Sequence, residues 1–234
     1  VAVTPTGTYA YVANSNSNNV SVIQTSNNTV TTTVTVGSSP RGVAINEAGT
    51  YAYVTNAVGT VSVIQTSDNT VVATVTVGGT PRGVAVDSDG TYVYVANSST
   101  NNISVIQTSD NTVVATIGVG STPLDVAVNP VTNYLYVANG GSSTVSVINT
   151  LDNTVVATLN PFTGGYSPYS VAVTPDGTRL FVTTTSYAFA TMYDTATFEV
   201  SQFYAGDGIE DIVIAEDGSY AWMSGNSGRV SLVD

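Results

Sequence analysis

The residues best placed to do chemistry recur just before a short apolar run that opens at Val43, Val84, Val126, Val171 and Ile212. The dipeptides there read Arg41-Gly42, Arg82-Gly83, Leu124-Asp125, Tyr169-Ser170 and Glu210-Asp211. Two guanidinium groups and three carboxylates therefore hold matched places in a repeat. If the repeat brings those places to one opening, Arg41, Arg82, Asp125, Glu210 and Asp211 form a candidate ligand site. The fork of an Arg matches a carboxylate or a similar planar group in bidentate fashion, so the opening could hold a small polar or sugar-like molecule. The plainer reading is a ring of ion pairs that locks the repeat together, since structural ion pairs also gather at such places.

Familiar kinds of catalysis lack their parts. The 234 residues include no His and no Cys, and all four basic residues are Arg. There is thus no imidazole or amine base for neutral pH, no thiol nucleophile, no Ser-His-Asp constellation, and no zinc or copper site rich in His or Cys. A carboxylate pair could hydrolyse a glycoside, but no pair stands out by its spacing. The expectation is a non-enzymatic protein with no catalytic residue and no cofactor. Asp87-Ser88-Asp89-Gly90 opens like a calcium loop, but such a loop needs a bidentate Glu at its twelfth position, and Ser98 stands there. It reads as a turn. Glu210-Asp211 with Glu216-Asp217 reads as a solvated acidic edge rather than a weak calcium site, so no metal is expected.

Composition narrows the partners. Charged residues make up 9% of the chain and hydrophobic ones 42%, so the surface must be made polar by Ser, Thr, Asn and Gly. A disordered chain has the opposite balance. The net charge of -12 argues against nucleic acid, whose phosphates need a basic stripe, and against anionic lipid. No run of eighteen apolar residues exists, so no membrane insertion is expected of this segment. The chain opens at Val1 inside a repeat, which reads as a mature or excerpted piece of a longer product. Four sequons, at Asn19, Asn27, Asn97 and Asn102, start in expected loops or turns, where a glycan could be attached.

The elements that must position these residues follow from the repeat. Its copies start at Val1, Val43, Val84, Val126, Val171 and Ile212, about 40 to 50 residues apart. Each carries short Val-, Ile-, Tyr- and Thr-rich runs, typified by Val84–Val86, Tyr92–Ala96, Ile103–Gln107 and a run over 112–119. Asp-Gly and Asp-Asn turns between such runs are hairpin signals, because those residues tolerate positive φ. A fixed period with four strands each predicts an all-β fold, a single β-propeller over residues 1–234. It should have about six four-stranded antiparallel blades. Runs such as Val-Ser-Val-Ile are apolar almost throughout, which implies burial on both faces as blades stack. The sixth copy lacks a fourth strand, so the last blade should be incomplete, or completed by sequence or a subunit beyond this chain.

Tyr53-Val54-Thr55-Asn56 spells the tetrapeptide for which the YVTN β-propeller repeat family is named, and Tyr11-Val12-Ala13-Asn14, Tyr94-Val95-Ala96-Asn97 and Tyr136-Val137-Ala138-Asn139 are close variants. The chain resembles the propeller modules of archaeal and bacterial surface-layer and cell-surface proteins. The last two copies depart from the pattern, reading Phe181-Val182-Thr183-Thr184 and Trp222-Met223-Ser224-Gly225. The motif Asn residues, at the ends of second strands, are expected to cap the loops that follow them. The resemblance implies a structural or interaction module outside the cell, in a surface layer, adhesin or filament. Its partners would be other cell-surface proteins, further copies or glycans. The outer strands, at 29–36, 70–77, 112–119 and 154–159, contain no charged residue, and uncharged edges invite pairing. The alternative is a propeller that binds, and even hydrolyses, a small molecule or glycan at the mouth of its channel.

Overall fold

The computed structural model describes residues 1–234 except 187, 207, 226, 227, 229 and 234. Among the described residues there are twenty-three strands and no helix. They fall into two compact units, Val1–Gly118 and Val119–Asp234, and each unit holds three antiparallel sheets whose strands follow sequence order. The fold is a β-propeller, and each sheet is a blade.

In the first unit, blade 1 comprises β1 (Ala2–Val3), β2 (Tyr9–Asn14), β3 (Asn19–Gln24) and β4 (Thr29–Thr35). Blade 2 comprises β5 (Pro40–Ile45), β6 (Tyr51–Asn56), β7 (Thr60–Gln65) and β8 (Thr70–Thr76). Blade 3 comprises β9 (Pro81–Val86), β10 (Tyr92–Asn97), β11 (Asn102–Gln107) and β12 (Thr112–Gly118). In the second unit, blade 4 comprises β13 (Pro123–Val128), β14 (Tyr134–Asn139), β15 (Thr144–Asn149) and β16 (Thr154–Leu159). Blade 5 comprises β17 (Val171–Val173), β18 (Arg179–Val182), β19 (Phe189–Asp194) and β20 (Val200–Tyr204). Blade 6 has three strands, β21 (Ile209–Ile214), β22 (Ala221–Gly225) and β23 (Val230–Val233). Its third strand was expected from Arg229, a residue outside the described ones.

Within each unit the first strands of successive blades lie side by side, β1 with β5 and β9, and β13 with β17 and β21. The middle strands carry the core. Val93, Tyr94, Val95 and Ala96 are all buried, although their side chains alternate between the two faces of the sheet. Both faces are therefore covered, as the continuous apolar runs imply. One face of blade 2 packs Ala52, Val54 and Ile64 against Tyr11, Val20 and Val22 of blade 1. Its other face packs Tyr53, Val61 and Val63 against Val93, Val95 and Ile106 of blade 3. In the second unit, Tyr136, Val145 and Val147 meet Val171, Leu180 and Val182. Each such aliphatic side chain contributes roughly 1.5–3 kcal/mol.

The motif Asn residues do not cap loops as expected. Asn56, Asn97 and Asn139 are fully buried, and each Nδ2 donates across to a third-strand hydroxyl, Ser62 at 3.0 Å, Ser104 at 2.9 Å and Ser146 at 2.9 Å. A second bond goes to Thr60, Asn102 and Thr144 respectively. The carboxamide is pressed against the glycine that ends the preceding repeat. A Cβ on Gly78 would stand 2.7 Å from Asn97 Cγ, and Gly37 and Gly120 meet Asn56 and Asn139 in the same way. The turn asparagines behave as the sequence predicts, with Asn28, Asn69, Asn111 and Asn153 at φ of 56–58°.

Gly78→Ala should therefore cost about 1–3 kcal/mol by overpacking, read as a lower denaturant midpoint. Gly118→Ala, where a Cβ meets nothing within 4 Å, should cost nothing. Equal midpoints for both variants would contradict this packing.

Candidate functional site

Each first strand, from blade 2 to blade 4 and again in blade 6, carries a bulge at the dipeptide that sequence analysis singled out. In blade 4 the register steps from Pro123↔Asn139 to Asp125↔Ala138, which leaves Leu124 as the extra residue. In blade 6 it steps from Ile209↔Gly225 to Asp211↔Ser224, leaving Glu210. Blades 2 and 3 shift between Pro40 and Val43 and between Pro81 and Val84. A bulge bends the strand and re-aims its side chains, and such bulges recur beside functional sites.

The five candidate residues divide between the two units. Arg41, exposed, and Arg82, half-buried, lie in the first. There the backbones of β5 and β9 come together. Thr55 Oγ1 accepts from Gly42 N at 2.8 Å and donates to the Arg82 carbonyl at 2.6 Å. A Cβ on Gly42 would collide with that carbonyl, which is why this position can carry no side chain. Arg82 Nε is buried without a hydrogen-bond partner among the described residues.

In the second unit the matched positions carry side chains instead, Asp125, Ser170 and Asp211, on first strands or their approaches that neighbour one another. Asp125 Oδ2 accepts from Ser170 Oγ at 2.6 Å and from Val171 N at 3.1 Å, while Oδ1 accepts from Val126 N at 2.9 Å. Asp211 Oδ1 accepts from Ile212 N at 2.9 Å. Glu210 is exposed. Burial pushes the Asp125 carboxyl up to about 6, against the three hydrogen bonds that lower it and with help from the charge of Asp211. An acid of that strength can exchange protons near neutral pH, the task usually given to histidine.

Other carboxylates are tuned the opposite way. A cleft of about 230 Å³ at the turns of blades 5 and 6 is lined by Asp176, Arg179 and Asp217 among others. Its two acids are held below the usual carboxylate range, Asp176 chiefly by the Thr174 hydroxyl and Asp217 chiefly by the Ser219 hydroxyl. They stay ionised and have no proton to offer. Asp87 and Asp89 form the expected turn, binding Tyr92 N and Thr91 N. Glu216 and Asp217 sit in the turn at the opposite end of β21 from Glu210 and Asp211. No group of three or more acidic, His or Cys residues among the described ones could hold a metal ion. No helix among them is long and apolar enough to cross a membrane.

The sequons separate by exposure. Asn27 is exposed, and Asn19 and Asn102 are half-buried. Asn97 is fully buried with its amide donated to Asn102 and Ser104, which leaves no room for a glycan. Ser170 was not singled out by sequence analysis. Its signal was there, a hydroxyl at the position where neighbouring copies place Asp125 and Asp211.

The sign of the Asp125 shift fixes a pH dependence of stability. A carboxyl whose folded value exceeds its unfolded one, 3.8, favours folding while protonated. That contribution is present below about pH 4 and lost as pH rises through about 6, worth about 2–3 kcal/mol. Asp87, pushed up to about 6 mainly by burial, acts in the same direction. Thermal unfolding between pH 4 and 7 should show the protein losing stability, and Asp125→Asn should flatten the curve. Parallel curves for the two proteins would contradict the shift.

Comparison with known proteins bears on chemistry. A family model described as "Lactonase, 7-bladed beta-propeller" matches residues 2–115 and 26–154. No curated protein matches the chain. Among solved structures, the chain is similar to the hydrazine synthase of Kuenenia stuttgartiensis, at 24% identity and a TM-score of 0.90, covering 99% of this chain and 75% of that one. That likeness is one of fold alone, and fold does not set function. The family match overturns the expectation of a non-enzymatic protein. That expectation equated missing His, Lys and Cys with missing catalysis, whereas a carboxyl raised to about 6 by burial can exchange protons near neutral pH without them. Six blades are built from the described residues, where the family description counts seven. On the strength of a match spanning more than half its length, the chain belongs to the lactonase family of β-propellers.

Proposed function

We propose that the protein hydrolyses a lactone, with Asp125 as the general base. The observation that carries this reading is the Asp125–Ser170 hydrogen bond of 2.6 Å on a carboxyl pushed up to about 6, in a chain of a lactonase family. Asp125 takes the proton of a water as that water attacks the ring carbonyl. The ring C–O bond then breaks, and the leaving alkoxide recovers the proton from Asp125. Ser170 and the amides of Val126 and Val171 hold the carboxylate in one orientation. The bulge at Leu124 supports this role by turning the strand at that point.

We further propose that this activity is displayed outside the cell, on a protein of the YVTN surface type, with its uncharged outer strands available to neighbouring surface proteins. The Tyr-Val-Thr-Asn tetrapeptide at 53–56, its three Tyr-Val-Ala-Asn variants and the 9% charged content support that location. Fractionation of source cells tests it, and recovery in the cytoplasm would count against it.

Hydrolysis of γ- and δ-lactones, δ-gluconolactone among them, can be followed by pH-stat above the buffer rate. The rate should rise with pH to a plateau above about 6, as Asp125 ionises. Asp125→Asn should lower kcat/KM by about 10²–10⁴, and Ser170→Ala by less. A wild-type protein that opens no lactone faster than buffer would overturn the reading.

A further inference from the structure

Blade 4 differs from its near-copies at one place. The eleven residues 144–154 match 60–70 of blade 2 except at Asn149, where blade 2 has Gln65, and Leu151, where it has Ser67. Blades 1 and 3 also carry the Gln and Ser, at Gln24 and Ser26 and at Gln107 and Ser109. The facing turn departs as well. Thr132 stands where blades 1 to 3 have Gly7, Gly49 and Gly90, and Asn133 stands where they have Thr8, Thr50 and Thr91. These four departures, with Tyr134, line a single groove of about 430 Å³.

The substituted residues line the groove. In the other blades the first turn is closed by a glycine at positive φ that donates to the first turn residue, as Gly49 N does to the Asn46 carbonyl. In blade 4 the buried Asn129 side chain takes over, its Oδ1 accepting from Val131 N and Thr132 N at 3.0 Å. That frees the turn to present Thr132 and Asn133 at the surface. Tyr134 and Asn149 are direct cross-strand partners, so their side chains share one face at close range. Replacing Gln by the shorter Asn leaves space beside the Tyr134 ring. Asn149 Oδ1 accepts from Leu151 N at 3.0 Å, which turns its amide NH₂ the other way. Leu151 is 75% exposed.

We infer that this groove binds a neutral saccharide. Its lining contains one tyrosine, one leucine, two carboxamides and a threonine hydroxyl, and no charged side chain. A pyranose offers the complement, a face of C–H groups for Tyr134 and Leu151 and a rim of hydroxyls for Asn133, Asn149 and Thr132. A charged ligand would find no counter-charge there, and a wholly apolar one would strip water from two amides without replacing it. The volume lies within the range of small-molecule sites. The groove is independent of Asp125 and of the proposed hydrolysis.

The test uses the full chain and three probes, methyl β-glucopyranoside, cellobiose and N,N′-diacetylchitobiose, with binding read by saturation-transfer NMR and titration calorimetry. At least one probe should bind, with Kd on the order of 1 mM, about −4 kcal/mol. The double variant Asn149→Gln with Leu151→Ser restores the residues that blades 1 to 3 carry in the same turn. It should therefore fold with an unchanged Tm and lose affinity about tenfold or more. Wild-type protein that binds none of the three, or a double variant that binds as tightly as wild type, would overturn the inference.

Discussion

The structure depends on a buried carboxamide that repeats. Asn56, Asn97 and Asn139 each tie the second strand of a blade to its third and press on the glycine that leaves the blade before. Each Nδ2 is bonded twice, while each Oδ1 is buried with no hydrogen-bond partner among the described residues, so losing the Nδ2 bonds would leave the whole amide unmet, at a cost of about 1–3 kcal/mol. The pairing therefore fixes register within the blade, and the contact with glycine fixes how closely the next chain segment approaches. A single residue type sets both distances. The valines and tyrosines around it supply most of the stabilisation, but they would tolerate a looser arrangement than the amide does.

That rigidity matters because the candidate site is made of residues far apart in the chain. Asp125 and Ser170 come from consecutive blades, and their 2.6 Å bond holds only if the two first strands keep one spacing. The first unit has solved the same crossing differently, with no side chain at Gly42 and a threonine bridging the two backbones. One repeat thus yields two kinds of first-strand junction, one closed backbone to backbone and one opened by carboxylates. The two junctions differ at both residues of the dipeptide, Arg41-Gly42 against Leu124-Asp125, and at the second-strand residue beside it, Thr55 against Ala138.

Much of the fold was legible in the sequence. The period set the blades, the Asp-Asn pairs set the outer hairpins, and the unbroken apolar runs set burial on both faces. The bulges were not legible, because the extra residue at Leu124 or Glu210 shows itself only against its partner strand. The bonds of the motif asparagines were misjudged for the same reason. A local loop cap and a cross-strand bond look alike in one dimension. The candidate site was half legible. Asp125 and Asp211 were picked out by matched position and charge, while Ser170, at the same matched position, was passed over because it carries no charge. Chemistry was misread most, because composition counts residue types and takes no account of what burial does to an acid.

The central claim is that the second unit holds a carboxyl able to exchange protons near neutral pH. The most direct measurement is a carbon-13 NMR titration of the Asp125 side-chain carboxyl in the intact chain, with Ser170→Ala as the comparison. The account predicts a midpoint near 6 that rises further when the Ser170 hydroxyl is removed, since that hydrogen bond favours the ionised form. A midpoint near 4, unmoved by the substitution, would contradict it.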